Sequence, residues 1–186
     1  MTYSMKIAGL ERELPICKVT DDLYIGAFIC FGDAELTVAC AAEMLKLVDA
    51  GSYDYLFTAE AKSIPIIHEM ARQSGAEKYF IARKGPKAYM PDPLCVKDQS
   101  ITTAGVQALY LGRDDAELIR GKRILIVDDV ISTGGSLRAM EELVNLAGGT
   151  VVGKMAVLAE GDAKDRDDIK FLAPLPLFNA DGTVKG

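Results

Sequence analysis

The chain has 186 residues, 49% of them apolar and 26% charged, with a net charge of −6. That length and balance suit one globular domain with a sizeable core and argue against extended disorder. The acidic balance also argues against general nucleic-acid affinity, although a local cluster of Lys and Arg can still hold an anion. The cysteines, Cys17, Cys30, Cys40 and Cys95, form no Cys-x-x-Cys pair, so a zinc site is unsupported and each reads best as a small buried hydrophobe. The chain shows no basic-then-apolar leader pattern and no apolar run near the roughly 20 residues that cross a bilayer. The expectation is a cytoplasmic protein with reduced thiols, acting without membrane or nucleic acid.

From residue 33 onward, strand-like and helix-like segments alternate. "GDAELTVACAAEMLKLVDAG" predicts a helix with Asp33 as N-cap and Leu36, Cys40, Met44, Leu47 and Val48 on one face. "YDYLFTAEAK" predicts a short strand ending near Ala59–Glu60. "SIPIIHEMARQSG" predicts a helix with Pro65 in its first turn, Gly75 at its end, and Ile66, Ile67, Met70 and Ala71 inward. "EKYFIARKG" predicts a second strand. The stretch from Pro86 to Gln107 is too long for an ordinary connection and begins directly after a basic cluster, so it reads as a lid. "RILIVDD" predicts a strand buried on both faces, because its apolar run is unbroken. "SLRAMEELVNLAGG" predicts a helix with Leu137, Met140, Leu143, Val144 and Ala147 inward, and "TVVGKMAVLAE" a further strand. This alternation means an α/β fold with a central, mainly parallel sheet and helices on both faces.

Ligands of such sheets bind beyond the carboxyl ends of the strands. Three of those ends carry concentrated chemistry: "AEAKS" at 59–63, "ARKGPK" at 82–87 and "DDVISTGGS" at 128–136. The Thr-Gly-Gly-Ser run ahead of a helix is a phosphate cradle, because glycines expose backbone N–H groups and the helix N-terminus favours an anion. No Lys follows the glycines, so the run is not a Walker A loop, and its spacing is not that of a dinucleotide fingerprint. Ionised Asp128 and Asp129 are acceptors only, which suits the two hydroxyls of a ribose diol. A phosphorylated ribose satisfies both halves of the stretch.

"ILIVDDVISTGGS" resembles the phosphoribosyl-pyrophosphate motif of the type I phosphoribosyltransferases, and "TAEAKSIP" and "ARKGPK" resemble the pyrophosphate segments of their adenine branch and of related archaeal-type hypoxanthine/guanine enzymes. The likeness covers roughly residues 30–175. It implies a single domain over residues 1–186, with a small hood built from about 1–32 and 160–186. It implies transfer of a phosphoribosyl group from phosphoribosyl pyrophosphate to a purine, adenine favoured, with Mg²⁺, in a homodimer. Asp128, Asp129, Arg83 and Lys84 would act in catalysis, the two acids on the ribose hydroxyls. Ser132, Thr133, Gly134, Gly135 and Ser136 would hold the 5′-phosphate, and Glu60, Ala61, Lys62 and Lys87 the pyrophosphate. No protein side chain is assigned to the metal.

The adenine branch commonly carries a Glu just ahead of a lid glycine, whereas here Thr103 and Ala104 precede Gly105. Phe28 and Phe31 read first as core aromatics and second as partners for a purine ring. No Lys is plainly placed to read a 6-oxo group, with Lys154, Lys164 and Lys185 left as candidates. The charge runs at 113–117 and 162–168, like Arg72, Lys78 and His68, read as solvated surface. Hypoxanthine, guanine or xanthine as substrate, or a regulator that senses the sugar without turnover, are the alternatives.

Overall fold

The computed structural model describes residues 1–98 and 107–185. The chain opens with three strands, β1 (Thr2–Ile7), β2 (Leu10–Thr20) and β3 (Leu23–Gly26). Then follow α1 (Ala34–Leu45), β4 (Tyr55–Ala59), α2 (Ile64–Ser74), β5 (Tyr79–Ala82), β6 (Leu94–Asp98) and β7 (Gln107–Leu111). The last part holds α3 (Arg113–Ile119), β8 (Arg123–Ile131), α4 (Gly135–Leu146), β9 (Thr150–Glu160), a 3₁₀ turn at Gly161–Asp165, β10 (Lys170–Leu175) and β11 (Leu177–Phe178).

The central sheet has the order β10-β9-β8-β4-β5, and every neighbouring pair is parallel. Its inner strands β4 and β8 are buried on both faces, and successive residues serve opposite layers. Along β8, Ile124 and Ile126 pack with Leu137, Met140 and Leu143 of α4. Leu125 and Val127 point the other way, to Leu36, Cys40 and Met44 of α1 and to Ile66, Ile67 and Met70 of α2. The expected inward faces of all three long helices are therefore realised, except that Leu47 and Val48 lie beyond the end of α1 and are half-buried. Asp33 caps α1 by accepting the Leu36 N–H at 3.0 Å, and Gly75 ends α2 in the left-handed conformation with φ 75°.

The chain leaves β4 towards β5 on one side and leaves β8 towards β9 and β10 on the other. The direction of winding reverses between β4 and β8, which opens a crevice at their carboxyl ends. A second sheet, of order β1-β2-β3-β11, is antiparallel. It draws on both ends of the chain and shares one apolar cluster with α1 and α2 through Met5, Ile7 and Leu14.

Two expectations change. The long stretch after Pro86 is not all loop: its ends pair antiparallel as β6 and β7, from Leu94↔Leu111 to Asp98↔Gln107. Thr103, Ala104 and Gly105, on which the missing lid acid turns, lie outside the described residues. The charges at 113–117 lie, as expected, on the exposed side of α3, where Asp115 stands 3.6 Å from Lys78 and Arg113 stands 2.7 Å from Asp92. Phe28 is core, at 2% exposure, but Phe31 is half exposed, at 51%, on the connection from β3 to α1.

Candidate active site

The turn after β4 is fixed from below. Thr58 Oγ1 donates to Ser63 Oγ at 2.7 Å, and Ser63 Oγ donates to the Ala59 carbonyl at 3.1 Å. Both hydroxyls are buried, and together they fold the strand end back into α2. The Glu60–Ala61 peptide in this turn is cis. Ala61 and Lys62 are left on the crevice surface.

Glu60 does not face the crevice as a free acid. Its Oε2 accepts from Arg83 Nε at 3.0 Å and from the Lys84 N–H at 2.6 Å. Burial pushes this carboxyl up, but the bonds from Arg83 and Lys84 outweigh it and hold it below the usual range. Glu60 thus organises the basic segment after β5.

At the end of β8, Asp128 and Asp129 are 8% and 7% exposed. The Asp129 N–H donates to Asp128 Oδ1 at 2.9 Å. Lys62 Nζ stands 2.5 Å from Asp129 Oδ2, as an ion pair off the line of a hydrogen bond. Burial, and then the neighbouring charge of Asp129, pushes the Asp128 carboxyl up to about 8. Two carboxyls this deeply buried, one beside a lysine and the other beside its neighbour's N–H and carboxyl, suit hydroxyl groups or a cation.

Beyond them, Ser132, Thr133 and Ser136 are exposed while Gly134 and Gly135 are buried. Gly134 takes φ 80°, a conformation that disfavours a side chain. The twelve-residue α4 starts at Gly135 with no side-chain cap and no acid in its first turn, so its N-terminal N–H groups remain open to an anion.

A cavity of about 320 Å³ joins these parts. Ala61, Lys62, Lys84, Asp128, Asp129 and Ser136 line it, with Glu60 at its edge and Leu109 of β7 as an apolar wall. Six expected residues do not line it: Ser132, Thr133, Gly134 and Gly135 of the loop, of which only Ser136 reaches the cavity, and Arg83 and Lys87. Arg83, tied to Glu60 and also hydrogen-bonded to Tyr89, lines a separate cavity of about 320 Å³ with Met90 and Arg113. Lys87 is half-buried and lines neither. Glu160, which the sequence offers as a base contact or a solvated loop acid, is instead buried at the end of β9 facing the Ser132 hydroxyl, with burial pushing its carboxyl up and Ser132 opposing. An acid closing a strand carries no signal of which loop it meets.

Residues 35–176 match the phosphoribosyl transferase domain. The chain belongs to the phosphoribosyltransferase family. It is 30% identical over 163 residues to an adenine phosphoribosyltransferase of Corynebacterium diphtheriae, covering 84% of this chain and 85% of that one. A Corynebacterium jeikeium adenine phosphoribosyltransferase is 37% identical over 99 residues, 53% of this chain and 45% of that relative, so that match spans about half of its length. Hypoxanthine/guanine and orotate phosphoribosyltransferases are also among the relatives. The crystal structure of adenine phosphoribosyltransferase from Thermoanaerobacter pseudethanolicus shares the fold, with a TM-score of 0.66 at 21% identity over 94% of this chain and 95% of that one.

Proposed function

We propose that the protein transfers the 5-phosphoribosyl group from phosphoribosyl pyrophosphate to adenine, giving adenosine monophosphate and pyrophosphate. The observation that carries this is the buried Asp128–Asp129 pair, set in one cavity with Lys62 and Lys84 and followed by an uncapped helix start. The acids accept the two ribose hydroxyls, and the 132–136 loop holds the 5′-phosphate. Lys62, Lys84 and the Ala61 backbone face the pyrophosphate. A ring nitrogen of the base displaces pyrophosphate at the ribose C1 atom, so the bond to the leaving oxygen breaks as the bond to nitrogen forms. The leaving group carries high charge, and fixed cations at its oxygens lower the barrier.

Among the described residues no group of three or more metal-ligating side chains occurs. That fits Mg²⁺, which is held by one or two carboxylates together with substrate phosphates rather than by a protein cage. Asp128 and Asp129 are the residues that would hold it beside the diol. Bound there, the ion would neutralise charge on the departing pyrophosphate.

Adenine is favoured over 6-oxopurines by what the candidate lysines do. Lys154 pairs with Asp168 at 2.7 Å, Lys164 pairs with Asp165 at 2.6 Å, and Lys185 donates to the Asp22 carbonyl at 3.1 Å. Each already holds an oxygen partner of its own. Phe31 is available to stack on the base, because the connection that carries it touches Lys62: Cys30 Sγ donates to the Lys62 carbonyl at 2.9 Å, and Lys62 Nζ donates to the Phe28 carbonyl at 3.4 Å. The sheet β1-β2-β3-β11 would form the hood over that base, and the β6–β7 hairpin the lid that excludes water. All four cysteines are free thiols and no helix among the described residues is long and apolar enough to cross a membrane; a reducing, cytoplasmic setting fits both. Assembly as a homodimer is what the resemblance implies.

The two lysines of the basic segment should differ. Lys84→Ala removes a charge from the cavity wall and is expected to lower kcat about 10- to 100-fold. Lys87→Ala, one step removed, should cost less than about fivefold. Steady-state rates of pyrophosphate release measure both, and equal losses would contradict the placement. The function itself is tested in reverse: adenosine monophosphate, pyrophosphate and Mg²⁺ should release free adenine, and no release at any pH would contradict it.

A further inference from the structure

The phosphate cradle carries no charge of its own, since Ser132–Ser136 are all neutral. Two arginines from elsewhere converge on it. A methyl group built on Gly134 would lie 2.6 Å from Arg166 Nη1 and 3.7 Å from Arg138 Nη1. Arg138 Nη1 donates to the Thr133 carbonyl at 3.3 Å, which keeps it against the loop. Arg166 follows the 3₁₀ turn after β9, and Asp168 grips it in a two-pronged pair, Nε to Oδ1 and Nη2 to Oδ2, both 2.8 Å. Asp168 is itself balanced by Lys154 at 2.7 Å, and Lys154 also faces Glu141 at 3.6 Å. This arrangement uses two of the three guanidinium nitrogens and directs the third over Gly134. Among the described residues Nη1 has no hydrogen-bond partner, and the Arg166 side chain is 29% exposed.

We propose that Arg166 is a binding residue for the 5′-phosphate of the sugar, supplying from outside the loop the cation that other phosphate cradles carry within it. The inference rests on the phosphoribosyl reading of the site. A pre-oriented guanidinium loses little freedom when it meets a phosphate, and the contact is charge-assisted. Arg166 is one of the charges in a run that otherwise reads as solvated surface. Its position over Gly134 also gives a reason, beyond the loop's turn, for glycine there: the guanidinium occupies the space of a side chain.

Calorimetric titration separates the phosphate subsite from the pyrophosphate subsite. Ribose 5-phosphate and Mg²⁺-pyrophosphate are titrated separately into the wild type, Arg166→Gln and Arg166→Lys. Arg166→Gln is expected to weaken ribose 5-phosphate about tenfold or more while leaving pyrophosphate unchanged. Arg166→Lys keeps a charge that can pair with Asp168, so it should match the wild type in melting temperature yet still bind ribose 5-phosphate less tightly. Wild-type affinity for ribose 5-phosphate in both variants would overturn the inference, as would equal weakening of the two ligands. A folded wild type that binds neither ribose 5-phosphate nor phosphoribosyl pyrophosphate would overturn the phosphoribosyl reading itself.

Discussion

Replacing Asp128 and Asp129 together by Asn is expected to lower turnover at least about 1,000-fold while leaving the fold intact. An amide offers one acceptor oxygen and a donor in place of two anionic acceptors, so it loses the diol and opposes a cation. Retained turnover in the double variant would remove the proposed diol role. The single variant Asp128→Asn carries a second signature, in stability. The Asp128 carboxyl is raised to about 8, well above the ordinary value of an unfolded chain. Between about 4 and about 8 the folded protein therefore binds more protons than the unfolded one, and stability falls as pH rises across that window. Asn cannot ionise, yet its oxygen can still accept the Asp129 N–H. Asp128→Asn should melt higher than the wild type at pH 8.5 and gain little at pH 5. Each kcal/mol gained appears as about 2–4 °C. A variant less stable than the wild type at the higher pH would show that the buried carboxylate is not under strain.

Gly134→Ala should be nearly as damaging to function. The residue holds φ 80°, and the new methyl would meet Arg166 Nη1 at 2.6 Å. Forcing alanine into the left-handed region costs about 1–2 kcal/mol. Arg166 swings away only by loosening its pair with Asp168. Either that or a shift of the loop from the start of α4 disturbs the phosphate site, and KM for phosphoribosyl pyrophosphate is expected to rise about 100-fold with a loss of a few degrees in melting temperature. Steady-state kinetics beside a thermal melt check this. Alanine kinetics equal to wild type would mean that the loop does not hold the phosphate in the conformation observed.

The central sheet was legible because its signals are local. β8 and its helix α4 show their periods within the run from Arg123 to Leu146, and the acids and glycines between them mark the crevice. Asp128, Asp129, Lys62, Lys84 and Ser136 meet as the strand ends imply. What escaped depends on distant partners. β2 alternates, with Leu10, Arg12, Leu14 and Ile16 turned in and Glu11, Glu13, Pro15 and Cys17 exposed, but its period does not say which strands it pairs with. It joins a sheet whose far edge, β11, lies more than 150 residues along the chain. Arg83 looked like a pyrophosphate contact, but Glu60 and Tyr89 hold it, and no spacing rule announces that the acid beside the loop takes the arginine. Arg166 and Asp168 lay in a run of charges whose ordinary fate is solvation, and only the fold brings that run over Gly134.

The most direct test of phosphoribosyl transfer is a turnover assay with Mg²⁺, phosphoribosyl pyrophosphate and each of adenine, hypoxanthine, guanine and xanthine in separate reactions, following pyrophosphate and nucleotide together. Equal amounts of pyrophosphate and adenosine monophosphate, with adenine giving the highest kcat/KM, is the predicted result. Binding of the sugar with no base consumed would contradict it and assign the same cavity to a sensor.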